Sequence, residues 1–203
     1  INGLRKVQAA YYKRRFDVNL DPEDEVIVTL GSKEGLANLA QAITSPGDII
    51  LSPNPSYPIH PYGFIIAGAS LRHLPAMDDG TFNPGLYLER LERSIIESVP
   101  APVAVIISFP SNPTAQVVSL EFYEEVVKIA LKYNVYILSD LAYAEIYYDN
   151  SPPPSILQIP KAKEVAVEFT SMSKTYAMAG WRIGFAVGNI RLINALTRIK
   201  SYL

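Results

Sequence analysis

The chain has 203 residues, 49% hydrophobic and 19% charged, with 18 Lys+Arg against 20 Asp+Glu for a formal charge of −2. That is enough apolar chain for one domain with a sizeable core, and it excludes a disordered segment; the near-neutral balance, with no long Lys/Arg run, argues against an electrostatic nucleic-acid binder. There is no Cys, and only His60 and His73 offer imidazole, so disulfides and thiolate chemistry are excluded and no metal site is expected.

No apolar run nears the roughly 18 residues of a membrane span. The chain starts at Ile1 without Met and without a signal-peptide pattern. Residues 26–30 predict a first strand and 33–44 a helix with Leu36, Leu39, Ala40 and Ile43 on one face. Ser45-Pro46-Gly47-Asp48 is a turn leading to strands at 48–51 and 70–74. A weaker helix at 86–98 aligns Leu88, Leu91 and Ile95, and a fourth strand follows at 103–108. Residues 120–133 form a helix with Phe122, Val126, Ile129, Ala130 and Tyr133 on one face and Ser119 as N-cap. Strands at 135–139, 165–170 and 183–187 complete the set, with 151–154 as a surface loop. The last residues carry Leu192, Ala195, Leu196 and Ile199 at helical spacing, so the chain reads as stopping in mid-helix, a piece of a longer protein. Near-continuous apolar strands alternating with helices predict an α/β domain: a mostly parallel seven-stranded sheet with helices on both faces.

In such sheets ligands sit outside the carboxyl ends of the strands, and the polar residues of interest fall there. Gly31-Ser32-Lys33 follows the first strand and opens a helix. It reads as an anion site, or as an ordinary Ser N-cap, and it lacks Walker spacing. Ser111-Asn112-Pro113-Thr114 follows the fourth strand. Asp140 ends an apolar strand, where a carboxylate wants a cationic partner (Lys, Arg or a protonated cofactor nitrogen) or caps the next segment; Tyr143 lies just beyond. Lys174, in Thr170-Ser171-Met172-Ser173-Lys174, directly follows a strand. Desolvation at such a place favours the neutral amine that attacks a carbonyl; the plainer reading is a snorkelling lysine. Arg182, in Gly180-Trp181-Arg182-Ile183-Gly184, could grip a phosphate or make a surface ion pair. His60 and His73 read as ordinary polar residues. Ser171-Met172-Ser173-Lys174 also fits the S-x-x-K of serine acyl-enzymes, but Ser139-Asp140-Leu141 and Lys174-Thr175-Tyr176 fail at the third residue of the S-D-N and K-T-G that accompany it.

Taken together, Ser111–Thr114, Ser139-Asp140-Leu141-Ala142-Tyr143 and Ser171–Lys174 followed by Gly180–Gly184 make the chain resemble the class I/II aminotransferases of the aspartate aminotransferase superfamily. These use pyridoxal 5′-phosphate (PLP) on the type I fold. Leu30-Gly31-Ser32-Lys33-Glu34-Gly35-Leu36, Pro53-Asn54-Pro55-Ser56-Tyr57-Pro58-Ile59-His60 and residues 109–116 look most like bacterial glutamate–pyruvate (alanine) aminotransferases, with LL-diaminopimelate aminotransferases as near neighbours. The resemblance implies that residues 1–203 are the PLP-binding large domain, with an N-terminal arm and a C-terminal small domain outside it. It implies that Lys174 carries the cofactor covalently and shuttles the substrate proton, that Asp140 pairs with the pyridinium nitrogen, and that Tyr143 and Asn112 bond the ring oxygen. Tyr57 would stack on the ring. Gly31, Ser32, Lys33, Ser171 and Arg182 would hold the phosphate, Lys33 standing where other members often carry a small hydroxyl residue. The implied reaction is transamination between alanine and 2-oxoglutarate, in a cytoplasmic homodimer with no nucleic-acid or membrane partner. LL-diaminopimelate, aspartate or methionine are the alternative donors. A lyase or decarboxylase, and the non-catalytic aminotransferase-like domain of a transcription regulator, are the rivals of other kinds. The arginine for the substrate α-carboxylate is implied to lie beyond Leu203.

Overall fold

A computed structural model describes residues 2–202. In chain order the elements are α1 (Asn2–Phe16), β1 (Val26–Thr29), α2 (Ser32–Ile43), β2 (Ile49–Asn54), α3 (Ile59–Ile66), β3 (Ser70–Pro75), β4 (Met77–Asp78), β5 (Thr81–Phe82), α4 (Pro84–Ile96), β6 (Ala104–Ser108), α5 (Leu120–Tyr133), β7 (Tyr136–Asp140), α6 (Ala162–Val165), β8 (Ala166–Ser171), α7 (Met172–Thr175), β9 (Gly184–Gly188) and α8 (Ile190–Lys200). Seven strands form one sheet in the order β1-β9-β8-β7-β6-β2-β3, and β4 and β5 form a separate hairpin. β9 is antiparallel to both its neighbours, while the other pairings in the sheet are parallel. The mostly parallel α/β sheet read from the sequence is therefore present.

The pleat explains why the strands read as unbroken apolar runs. Successive side chains point to opposite faces, and both faces are covered. Val105, Ile107 and Ile137 pack into one core with Tyr12 of α1, Leu91 of α4 and Val126 of α5. Ala104, Ile106 and Leu138 pack into the other with Leu36 of α2, Phe64 of α3 and Leu196 of α8. Local chemistry sets the helix ends. Ser119 accepts a hydrogen bond from the Phe122 N–H at 3.4 Å, and Asn134, at φ 54°, closes α5 in the left-handed conformation. Asn83 and Asn189 cap α4 and α8 in the same way as Ser119.

Five elements lie where the apolar spacing gave no signal: α1, α3, the β4–β5 hairpin and the one-turn helices α6 and α7. The buried face of α1 is made of Gln8, Tyr11, Tyr12 and Phe16, while its aliphatic Leu4 and Val7 are exposed. That face docks by polar contacts. Gln8 Nε2 donates to Thr170 Oγ1 at 3.1 Å, and Tyr12 Oη donates to Glu168 Oε1 at 2.9 Å. Glu168 is fully buried in β8 and also accepts from Ser139 Oγ at 3.0 Å, from Ser155 Oγ and from the Ile156 N–H. Four donors replace the water that burial removed, as a buried carboxylate requires.

Candidate active site

Because β1, β2, β6, β7 and β8 run one way, their carboxyl ends share a rim. β9 runs the other way, so its amino end, just after Arg182, reaches the same rim. The loops there enclose a cavity of about 280 Å³ lined by Ser32, Lys33, Tyr57, Asn112, Asp140, Tyr143, Ser171, Lys174 and Arg182, together with Ser108, Ala142 and Ser173. Of the residues that the resemblance assigns to the cofactor only Gly31 does not line it, and Gly31 packs directly beneath the Arg182 guanidinium. A larger open groove of about 1030 Å³ lies at the opposite end of the sheet, between Val18, Leu157 and Asn189. There Glu25 is already paired with Lys163 at 2.8 Å, and Asn189 Nδ2 already donates to the Lys163 and Glu164 carbonyls.

Asp140 is buried at the end of β7, and its partner is neither Lys nor Arg. His60 Nε2, on the first turn of α3, lies 2.9 Å from Asp140 Oδ2, and both side chains are buried. Asp140 Oδ1 also accepts from the Ala142 N–H at 3.3 Å, so the carboxylate braces the turn that carries Tyr143. The reading of His60 as an ordinary polar residue is corrected here: it is fully buried and faces the central carboxylate. His73 is exposed on β3. Asn112 Nδ2 donates to Tyr143 Oη at 3.3 Å, joining the β6 and β7 loops across the mouth of the cavity.

The Gly31-Ser32-Lys33 segment departs from the N-cap alternative. Gly31 itself occupies the cap position of α2, at φ 84°, and no side chain caps the helix. Its first-turn N–H groups are thus left for another acceptor. A Cβ on Gly31 would lie 2.5 Å from Arg182 Nη2. One on Gly184 would lie 2.7 Å from the Gly31 carbonyl carbon and 2.8 Å from Ser32 N. Only glycine permits this approach of β9 to the start of α2. Arg182 bonds Ser173 Oγ, the Ala179 carbonyl and the Leu30 carbonyl at 3.1–3.4 Å. Among the described residues no carboxylate pairs with it, so it is not the surface ion pair of the plainer reading. Lys33 is exposed, with Nζ 5.3 Å from the centre of the Tyr57 ring, a cation–π contact that steadies the ring. Lys174 sits on the short helix α7 after β8 and is exposed rather than desolvated. Its place follows the sequence reading; the burial argued for it does not, because α7 turns it out over the rim.

The profile of the family described as "Aminotransferase class I and II" matches residues 1–203. The chain belongs to the class I and II aminotransferases. It is 59% identical over 203 residues to a putative aminotransferase, AatC, of Rhizobium meliloti, covering all of this chain and 49% of that protein. It is 55% identical to the glutamate-pyruvate aminotransferase AlaC of Escherichia coli, over 100% of this chain and 48% of the relative. Against an LL-diaminopimelate aminotransferase of Aquifex aeolicus the identity is 50%, over 98% and 50%. The fold matches N-succinyldiaminopimelate aminotransferase from Mycobacterium tuberculosis with a TM-score of 0.90 at 30% identity, covering 99% of this chain and 51% of that one. The chain spans about half the length of the curated relatives it matches.

Class I and II aminotransferases use PLP, and the cavity's chemistry fits that group. Arg182, the Ser32 and Ser171 hydroxyls and the uncapped start of α2 offer donors and positive charge suited to a phosphate. The buried Asp140 suits a protonated ring nitrogen, and the Lys174 amine suits an aldehyde carbon. The glycine contact at 31 and 184 keeps open the backbone cradle that a Cβ would fill.

Proposed function

We propose that residues 1–203 form the PLP-binding large domain of an aminotransferase that exchanges an amino group between alanine and 2-oxoglutarate. The observation carrying this reading is the convergence of Lys174, Asp140 and Arg182, from the ends of three adjacent strands, on one cavity. When bound, PLP supplies a sink for the electrons left at the substrate α-carbon. Lys174 would anchor it and afterwards hold the migrating proton at Nζ. Asp140, held by His60, would keep a negative charge opposite the ring nitrogen. Tyr143 and Asn112 would hold the ring oxygen, Tyr57 would cover the ring face, and Gly31, Ser32, Lys33, Ser171 and Arg182 would take the phosphate. Similarity to AlaC supports the alanine reading. The similarity to an LL-diaminopimelate aminotransferase supports a second donor.

The same reading proposes a homodimer in the cytoplasm. Exposed Val117, Ile146, Tyr147 and Tyr148 line an apolar hollow beside Asn112 and Tyr143, which supports an interface at the site's edge. Among the described residues no helix is long and apolar enough to cross a membrane.

Borohydride reduction of the PLP-loaded protein, followed by peptide mapping, should place the pyridoxyl label on Lys174; a label on another lysine overturns the assignment. A screen of amino donors against 2-oxoglutarate should rank alanine first. Preference for LL-diaminopimelate would replace the substrate and leave the site intact.

A further inference from the structure

Beside the active-site cavity lies a second, small and partly open one of about 10 Å³, room for a single water. Ser108 and Asn112 line both. Two of its lining residues carry buried polar atoms that are bonded to nothing: His60 Nδ1 and Tyr87 Oη. His60 is 0% exposed and Tyr87, on α4, 1%. Such atoms are rarely left without a partner.

The chemistry of the pair constrains what fills the gap. The Asp140 carboxylate is an acceptor only, so the His60 Nε2 facing it at 2.9 Å must carry a hydrogen. In a neutral imidazole Nδ1 is then an acceptor, and it needs a donor. Burial pushes the Tyr87 hydroxyl above its usual range, so that group remains a donor. We propose that one structural water sits in this cavity, accepts from Tyr87 Oη and donates to His60 Nδ1, and that Tyr87 thereby acts as a positioning residue that holds His60 in the Nε2–H tautomer. Every donor in the series Tyr87, water, His60 points toward Asp140, and each bond polarises the next. A neutral His60 leaves the full negative charge on Asp140. What that charge does for a bound cofactor rests on the aminotransferase reading above; the water and the tautomer do not.

The test uses the unloaded chain with 15N-labelled histidine. Its two histidines give two ring systems, and exposed His73 serves as the internal reference. Long-range 1H–15N correlation should show His60 with its proton on Nε2 and with Nδ1 displaced from the position of a free acceptor. In Tyr87→Phe, Nδ1 should move toward the free-acceptor position while His73 stays put. In the full-length protein loaded with PLP, Tyr87→Phe should lower kcat several-fold with KM little changed. A wild-type His60 protonated on Nδ1 overturns the proposal, as does a folded Tyr87→Phe chain whose His60 signals do not move. Should Tyr87→Phe not fold, the wild-type tautomer together with a crystal structure decides, and a dry cavity counts against it. The label on Lys174 reports separately on the function, so either reading can fail alone.

Discussion

Asp140 and His60 show how residue chemistry and position divide the work. An aspartate closing the apolar run 135–139 announces itself, because a charge there needs a reason. His60 does not, because one histidine after Tyr57-Pro58-Ile59 carries no signal by spacing. Only the packing of α3 over the end of β7 brings the two within 2.9 Å. Asp140→Asn keeps the shape and removes the charge. Transamination by the PLP-loaded protein should drop on the order of 10²-fold, the scale of losing a key electrostatic group, while the cofactor still binds through Lys174 and the phosphate donors. Steady-state kinetics beside a PLP titration would check both, and near-normal kcat would contradict the role.

At the scale of elements, the close contact between β9 and the start of α2 shapes the phosphate end of the site. A Cβ at position 184 would meet the Gly31 carbonyl carbon, Ser32 N and Thr170 O, all backbone atoms at 2.7–2.8 Å. No rotamer change relieves such a clash, so Gly184→Ala should destabilise the fold by about 2 kcal/mol, the usual scale of overpacking, and weaken PLP binding as the start of α2 is pushed away from β9. Gly180→Ala, where an added Cβ meets nothing within 4 Å, should stay within about 0.5 kcal/mol. Denaturant melts of the two variants make the comparison. The glycines themselves can be read in the sequence as punctuation; that 31 and 184 touch cannot, since they lie 153 positions apart.

The molecule as a whole carries a buried charge that ties α1, β7, β8 and the 155–156 turn together at Glu168. Desolvation raises its carboxyl to about 6 against an ordinary 4.5, and the hydrogen bonds from Ser155, Tyr12 and Ser139 offset part of that rise. Between those values the folded chain holds a proton that the unfolded chain has released. Glu168 therefore contributes stability fully present below pH 4.5 and lost as pH rises through 6, a fall of about 2 kcal/mol. Urea unfolding at stepped pH should show that decline, and Glu168→Gln should remove it. An unchanged pH slope in the variant would place the titration elsewhere.

By itself the sequence determined the α/β class, the alternation of strands with helices, and the polar residues at the strand ends, because strand burial, turn chemistry and helical spacing are local properties written in neighbouring residues. It also carried the family, through the motifs at Ser111–Thr114, Ser139–Tyr143 and Ser171–Lys174. Tertiary structure decided the rest. The antiparallel run of β9 puts Arg182, which precedes its strand, on the rim where the other residues follow theirs. The docking of α1 uses tyrosines and a glutamine against Thr170 and Glu168, partners more than 150 residues away, so no aliphatic stripe marks it. The exposure of Lys174 follows from the turn of α7, which burial of the preceding strand does not dictate. In each case the deciding contact joins residues far apart in the chain, and such contacts form only once the sheet has set which strand ends meet.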